Sequence, residues 1–242
     1  MVEMRAPETV MTLSRLGSLH QCRLSFMRQL TRRMACEGWR FSRPVFDIDA
    51  KGVGHAIYTA QGPERVYSLV AFAHDLPPEM RSDRVIATAW DATFTLFDGV
   101  PTATDIERLS QNVPLQEAGR VNEKSLSVSR ANRSVRLWEH VVDSLAHGVQ
   151  PDPSMLDAVG YLMRTTAVYG SGKLGAADRE LIADRAEMQA PFQAEMLSVY
   201  LTRWFVRDLV EHMARARGGE KAVPLDRNLA RQLGIGNSTG LG

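Results

Sequence analysis

The residues best suited to chemistry in this sequence lie between positions 164 and 178, which read RTTAVYGSGKLGAAD. Hydroxyl groups, an arginine and a lysine stand here among closely spaced glycines, between two apolar segments. Guanidinium, ammonium and hydroxyl groups are the donors that bind carboxylate and phosphoryl oxygens. We therefore predict a pocket for a small anionic ligand, lined by Arg164, Thr165, Tyr169, Ser171 and Lys173.

The GSGK within this stretch invites comparison with a nucleotide-binding P-loop, but the match is incomplete. A P-loop has a first glycine and a final Ser or Thr, and this sequence has Ala167 and Leu174 at those positions. The predicted helix that follows begins with Asp178 and Glu180, whose charges would repel a phosphate. The sequence thus argues against a P-loop. In the alternative interpretation the glycines only turn the backbone between two helices.

Two other places hold groups suited to metal binding or proton transfer. Asp47 and Asp49 alternate onto one face of a predicted strand, and His55 follows across a hairpin. This spacing is unspecific, and we predict no metal site. His74 and Asp75 are adjacent, so on a strand they would face opposite ways and could not form an oriented base alone. No HExxH or CxxC motif occurs, and the sequence assigns no catalytic residue and no cofactor.

Residues 12–36 predict a basic amphipathic helix. An apolar stripe follows one side, and Arg28, Arg32 and Arg33 lie off it. Such a helix offers a second hypothesis, an interaction or regulatory protein that binds nucleic acid or an acidic partner. The favoured interpretation is a core helix whose arginines face water, because its charged side lacks lysines and interleaved aromatic residues. The net charge of +1 also disfavours polyanion binding by the protein as a whole.

Composition indicates the class of protein and its compartment. The chain is 44% hydrophobic and 24% charged, as globular domains are, and only four of its 29 basic residues are lysines. We interpret that bias as the mark of a GC-rich bacterial genome. Cys22 and Cys36 lie too far apart along one predicted helix to form a disulfide. With no signal peptide and no apolar run near about 18 residues, we expect a soluble cytoplasmic protein.

Segments rich in β-branched and aromatic residues occur at 41–49, 53–60 and 65–74, separated by turns that contain Gly or Pro. They predict three short strands in an antiparallel meander. Residues 84–97 fit either a fourth strand or a helix. In both, Ile86, Trp90 and Phe94 share one side, and the length and the alanines of the segment favour the helix.

The second half of the chain reads as mainly helical. A polar segment at 119–132 predicts a long surface loop or domain boundary, between a helix-plus-sheet region (1–118) and a helical region (133–242) with a glycine-rich tail. In the alternative, the two regions form one continuous domain. Helical patterns cover 133–146 and 155–166. The most apolar helix, at 192–216, has apolar residues on more than one face, which is typical of a bundle centre or a dimer interface.

These patterns predict an α+β, helix-dominated fold with a small antiparallel meander followed by a helical C-terminal half. For function they favour an enzyme or binder of a small carboxylate or phosphoryl ligand, acting as a homodimer, over a protein that binds nucleic acid.

Overall fold

The structure is a computed structural model that describes residues 19–81, 89–111, 122–170, 185–188, 193–232 and 234–237. Within those residues, seven strands form one sheet and six α-helices pack around it. The strands are β1 (Arg40–Ile48), β2 (Gly54–Gln61), β3 (Val66–Ala73), β4 (Ala92–Asp98), β5 (Ser125–Arg133), β6 (Tyr161–Gly170) and β7 (Gly234–Asn237). The helices are α1 (Leu19–Cys36), α2 (Ala103–Ser110), α3 (Trp138–Ala146), α4 (Pro153–Val159), α5 (Gln193–Gly218) and α6 (Arg227–Gln232).

The sheet is a meander in which the order of the strands in space follows their order in the chain. Strands β1 to β6 are antiparallel to their neighbours, and β7 runs parallel to β6 at the end of the sheet. The sheet curls into a half-barrel. In the outer strand β1, a bulge lies between Ser42 and Val45, next to Pro44. A proline at this position is tolerated because an outer strand does not need every N–H for pairing.

The predicted fold class was wrong. The three strands predicted between 41 and 74 correspond to β1, β2 and β3, but they make up less than half of the sheet. The remaining strands include β6 and β7, which lie in the region predicted to be helical. The chain is therefore not dominated by helices, and strands from both predicted regions share one sheet.

The helix favoured for residues 84–97 was also wrong where the structure describes it, because β4 occupies Ala92–Asp98. Both faces of this strand are buried. Phe94 contacts Phe205 of α5 with ring centroids 5.4 Å apart, whereas Phe97 packs on the other face with Leu109 of α2. A strand covered on both faces loses the alternation of polar and apolar residues, which explains the misinterpretation. Residues 82–88 lie outside the described part.

Two further segments differ from prediction. The surface loop expected at 119–132 is in large part β5, whose serines are buried because they face the interior. The helix expected at 155–166 ends at Val159, where Gly160 takes a left-handed conformation with φ of 67°. A glycine after the last helical residue is a common stop signal, and the β-branched residues that follow it belong to β6.

The long helix α5 fills the concave face of the sheet. Phe205 contacts Phe94 and also Tyr58 of β2, and α1 and α3 pack along the sides of α5. Burying one such side chain contributes about 1.5–3 kcal/mol. Most of the apolar residues that suggested a dimer interface are buried within the chain, whereas Val199 and Tyr200 are half-buried. Among the described residues, none of the helices combines the length and apolar character needed to cross a lipid bilayer.

Four buried hydroxyl groups lie between β5 and α5 without a hydrogen-bond partner. Ser198 and Thr202 fall on the same face of α5 as Phe205, and Phe205 contacts Phe94. Phe94 pairs across the sheet with Ser129, and its neighbour Leu96 pairs with Ser127. The hydroxyl groups of Ser127, Ser129, Ser198 and Thr202 are thus on the facing sides of β5 and α5, and none of them has a hydrogen-bond partner within the described part of the chain.

We expect Thr202→Val to stabilise the protein, because a buried hydroxyl without a partner costs free energy that an isosteric methyl group does not. The gain should be about 1 kcal/mol, which raises Tm by about 2–4 °C for a chain of this size. Thr31→Val is the matched control, because Thr31 donates to the carbonyl of Met27 at 3.0 Å and loses that bond. A lower Tm for Thr202→Val in calorimetry would show that this hydroxyl has a partner, such as an internal water.

Two tyrosines of the core donate to carboxylates. The Tyr58 hydroxyl donates to Asp208 at 2.8 Å, and the Tyr67 hydroxyl donates to Glu187. Burial raises the pKa of both phenols well above the usual value, and the adjacent carboxylates raise it further.

We expect both tyrosines to resist alkaline titration in the folded protein. Because their folded-state pKa values are raised, their contribution to stability is complete below pH about 10, the pKa of an unfolded tyrosine, and declines as pH rises beyond it. Tyr58→Phe should therefore lose less stability at high pH than the wild type. Phenolate absorbance against pH measures the ionisation of the tyrosines. Ionisation of Tyr58 near pH 10 while the chain is still folded would contradict the prediction.

Candidate functional site

Three neighbouring strands end together at one end of the sheet. Ala73 closes β3 and pairs with Ala92, which opens β4 and pairs with Ala131 near the end of β5. The antiparallel register therefore brings together the residues that directly follow or precede these positions. They are the polar residues His74, Asp75, Asp91, Asn132 and Arg133.

Asp91 is the centre of this group, and its side chain is 0% exposed. Its Oδ1 accepts a hydrogen bond from Nε of Arg81 at 3.0 Å, and its Oδ2 accepts one from the backbone N–H of Arg133 at 2.9 Å. The backbone N–H of Leu76 also donates to Oδ1, at 3.4 Å. A buried carboxylate is tolerated only when charges and donors replace its hydration, and these groups do so.

Asn132 fixes the backbone on the N-terminal side of Asp91. Its Oδ1 accepts the N–H of Asp91 at 2.8 Å, and its Nδ2 donates to the carbonyl of Ala89 at 3.1 Å. One amide side chain on β5 thus holds the entry into β4.

Arg133 is the most enclosed charge that faces the pocket, since its side chain is only 3% exposed. It lies over the ring of Trp138, 5.3 Å from the centroid, and Nη2 donates to the carbonyls of Gly52 at 3.2 Å and His74 at 3.4 Å. Burial lowers the pKa of this guanidinium, and Asp91 offsets part of that effect. An arginine stays charged even so, and Arg133 is therefore a fixed buried cation.

The turn between β1 and β2 is shaped to meet this cation. Asp49 accepts hydrogen bonds from the backbone N–H groups of Lys51 and Val53, both at 2.9 Å. These bonds lower the pKa of Asp49, and the bond from Val53 has the larger effect. Gly52 has φ of 80°, and a Cβ there would lie 2.8 Å from Sδ of Met213 and 3.0 Å from Nη2 of Arg133. Only glycine combines this backbone with such a close approach.

Arg81 reaches the same place from the loop after β3. Pro77 precedes a single 3₁₀ turn at Pro78–Met80, and both prolines restrict the backbone there. Arg81 directly follows this turn. Its Nη2 donates to Oδ1 of Asp75 at 2.6 Å, and Nη1 of Arg133 donates to the same oxygen at 3.2 Å. Although burial opposes it, the two carboxylates Asp91 and Asp75 raise the pKa of Arg81.

These groups line an open pocket of about 550 Å³, here named the arginine pocket. Its basic side chains are Lys51, Arg81, Arg133 and Arg217, and its acidic ones are Asp75 and Glu139. Arg217 of α5 donates through Nη1 to Glu139 at 2.7 Å and to Asp143 at 2.8 Å, both on α3. Positive charge therefore exceeds negative charge among the lining residues. A pocket of this kind can hold an anion through guanidinium N–H groups.

The site predicted from the sequence lies elsewhere. Arg164, Thr165 and Tyr169 are on β6, so the stretch is neither a loop nor a turn between two helices up to Gly170. Arg164 pairs with Asn132, but strand alternation puts it on the opposite face from buried Met163. It does not line the arginine pocket. Ser171 and Lys173 lie outside the described residues.

The other sequence candidates have different roles. Asp47 and His55 pair across β1 and β2, whereas Asp49 caps the turn that presents Lys51 and Gly52. In the described part of the chain, no three His, Cys, Asp or Glu residues gather closely enough to hold a metal ion.

Sequence reasoning missed Asp91 and Arg133, and it noted Asp75 only as a partner for His74. A signal was present in the run WDATF, where a single acid interrupts apolar residues. A charged residue within an apolar strand is rarely buried without a partner. The partner Arg133, however, is distant in sequence and is the first residue of a segment, 133–146, that was predicted to be helical.

Arg33 of the basic helix α1 is also engaged within the fold. It donates to the carbonyl of Glu187 and lies 3.7 Å from the carboxylate of Glu37.

We expect Asp91→Asn to destabilise the protein strongly, because it removes the only fully buried negative charge that lies beside the guanidinium groups of Arg81 and Arg133 among the described residues. Breaking a buried ion pair on one side costs about 3–5 kcal/mol. Asp47→Asn, at an exposed position, should change stability by less than about 0.5 kcal/mol. Urea unfolding measures both, and similar midpoints for the two variants would show that Asp91 does not hold this end of the sheet.

No protein-family model, curated protein or solved structure matched the chain in comparison.

Proposed function

We propose that the protein binds a small anionic ligand, bearing carboxylate or phosphoryl groups, in the arginine pocket. The observation that carries this proposal is the convergence of two largely buried guanidinium groups on one oxygen of a half-exposed carboxylate. Arg81 is 14% exposed and Arg133 is 3% exposed, yet both donate to Oδ1 of Asp75, whose side chain is 47% exposed. The N–H groups that a ligand would use are therefore already held in place and face the solvent side of the pocket.

The charges around the pocket support the same ligand class. Asp91 neutralises one of the two guanidinium groups, and Lys51 and Arg217 stand farther out on the lining. Arginine suits carboxylate and phosphate because its planar fork offers paired donors, and a buried arginine loses little further freedom on binding.

This ligand class is the one predicted from residues 164–173, but the position differs. The proposal concerns binding and assigns no reaction. The homodimer and the nucleic-acid hypothesis remain predictions, and the contacts of Arg33 within the fold leave fewer arginines of α1 for a partner.

We expect inorganic phosphate or succinate to bind the wild type, with Lys51→Gln and Arg217→Gln each weakening binding about tenfold. Loss of one charged hydrogen bond of about 1.4 kcal/mol gives that factor. Both side chains can be changed at small cost to the fold, since Lys51 is exposed and the ion pairs of Arg217 are partly exposed. Isothermal titration calorimetry at fixed ionic strength measures the dissociation constants.

Arg40→Gln is the matched control. Arg40 is exposed at the start of β1 and pairs with Gln61, whereas the other end of that hairpin, at Ile48 and Gly54, adjoins the turn that carries Lys51. An unaltered dissociation constant for Arg40→Gln would place the effect in the pocket. Absence of binding by the wild type, or equal losses in all three variants, would refute the proposal.

A further inference from the structure

Asp75 is held differently from Asp91, the other carboxylate that contacts Arg81 and Arg133. Both of its neighbours in sequence form hydrogen bonds with Asp91. The N–H of His74 donates to the backbone carbonyl of Asp91 at 2.7 Å, and the N–H of Leu76 donates to its Oδ1 at 3.4 Å. The backbone on both sides of Asp75 is thus anchored, whereas its carboxylate is held by side-chain contacts with two arginines and is half exposed. A rotation about its side-chain bonds would release it without moving the loop.

The charge balance gives this carboxylate a specific role. Arg81 and Arg133 carry two positive charges, and buried Asp91 supplies one negative charge beside both. One positive charge remains, and Asp75 compensates it from the solvent side. Two largely buried cations that share one inner anion need a second anion, and nothing in this geometry requires that anion to be part of the chain.

We propose that Asp75 is a built-in competitor, whose carboxylate occupies the position of the ligand's anionic group and rotates out when the ligand binds. This inference rests on the proposed function, because it describes how the arginine pocket is filled. The incoming oxygen takes the place of Asp75 Oδ1, between Nη2 of Arg81 and Nη1 of Arg133. Asp75 moves into the solvent, and the two guanidinium groups stay where Asp91, Gly52 and the His74 carbonyl hold them.

The same reasoning narrows the ligand class. A ligand with a single negative charge would only replace one carboxylate by another, with no gain in charge balance to offset its lost freedom. A ligand with a second negative group gains an additional contact with Lys51 or Arg217 on the outer lining. The pocket therefore favours dianions, such as a dicarboxylate or a phosphate monoester, over a simple monocarboxylate.

The test compares Asp75→Asn with Glu139→Gln. Both changes remove one negative charge from the pocket lining, but only the first removes the group that competes for Arg81 and Arg133. We expect Asp75→Asn to bind succinate about tenfold more tightly than the wild type, and Glu139→Gln to gain much less. Equal gains in the two variants would mean that general electrostatics accounts for the effect, and would overturn the inference.

A second variant covers the case in which the asparagine perturbs the loop. Asp75→Ala leaves the two guanidinium groups without their outer anion, so acetate should fill the position and raise Tm in proportion to the logarithm of its concentration. The wild type and Glu139→Gln should show no such rise at matched ionic strength. No stabilisation of Asp75→Ala by acetate, with succinate still bound by the wild type, would overturn this inference alone. Absence of succinate and phosphate binding in every variant would instead refute the proposed function, and the competitor role with it.

Discussion

A single carboxylate without contact to solvent holds one end of this fold together. Asp91 accepts a side-chain N–H from Arg81 and backbone N–H groups from Arg133 and Leu76, so it joins the loop after β3 to the ends of β4 and β5. A charge in such surroundings is unfavourable unless every oxygen is used, and the structure uses both. The positions of both arginines follow from this requirement, and so does the pocket that they line.

Helix α5, which packs in the hydrophobic core, also contributes to this end of the sheet. The helix packs on the sheet with Phe205 against Phe94, and about two turns after Phe205 it brings Met213 to the β1–β2 turn at Gly52. The carbonyl of Gly52 then accepts Nη2 of Arg133. Packing of the long helix and placement of the buried cation are thus coupled through one glycine, whose missing side chain lets helix, turn and guanidinium come together.

How far the sequence predicts this structure depends on what surrounds each segment. Strands β1 to β3 are recognisable because glycine and proline turns separate short β-branched runs. Strand β4 is buried on both faces and β5 carries serines into the interior, so neither shows the expected alternation. The candidate site was hidden for a related reason. Asp91 and Arg133 become neighbours only through the register of β4 with β5, which local patterns do not reveal. Arg164 of the predicted site instead lies on β6 and does not line the pocket.

The bulge in β1 has a consequence for how this protein behaves at high concentration. An outer strand presents unpaired N–H and carbonyl groups, and a flat, regular one invites another chain to extend the sheet. Here β1 is the outer strand of the described sheet, and it carries Pro44 at an irregular point together with the charged side chains Arg40, Arg43 and Asp47. A strand from another molecule could not form a continuous ladder along it. The irregularity thus disfavours pairing with another chain at this edge of the sheet.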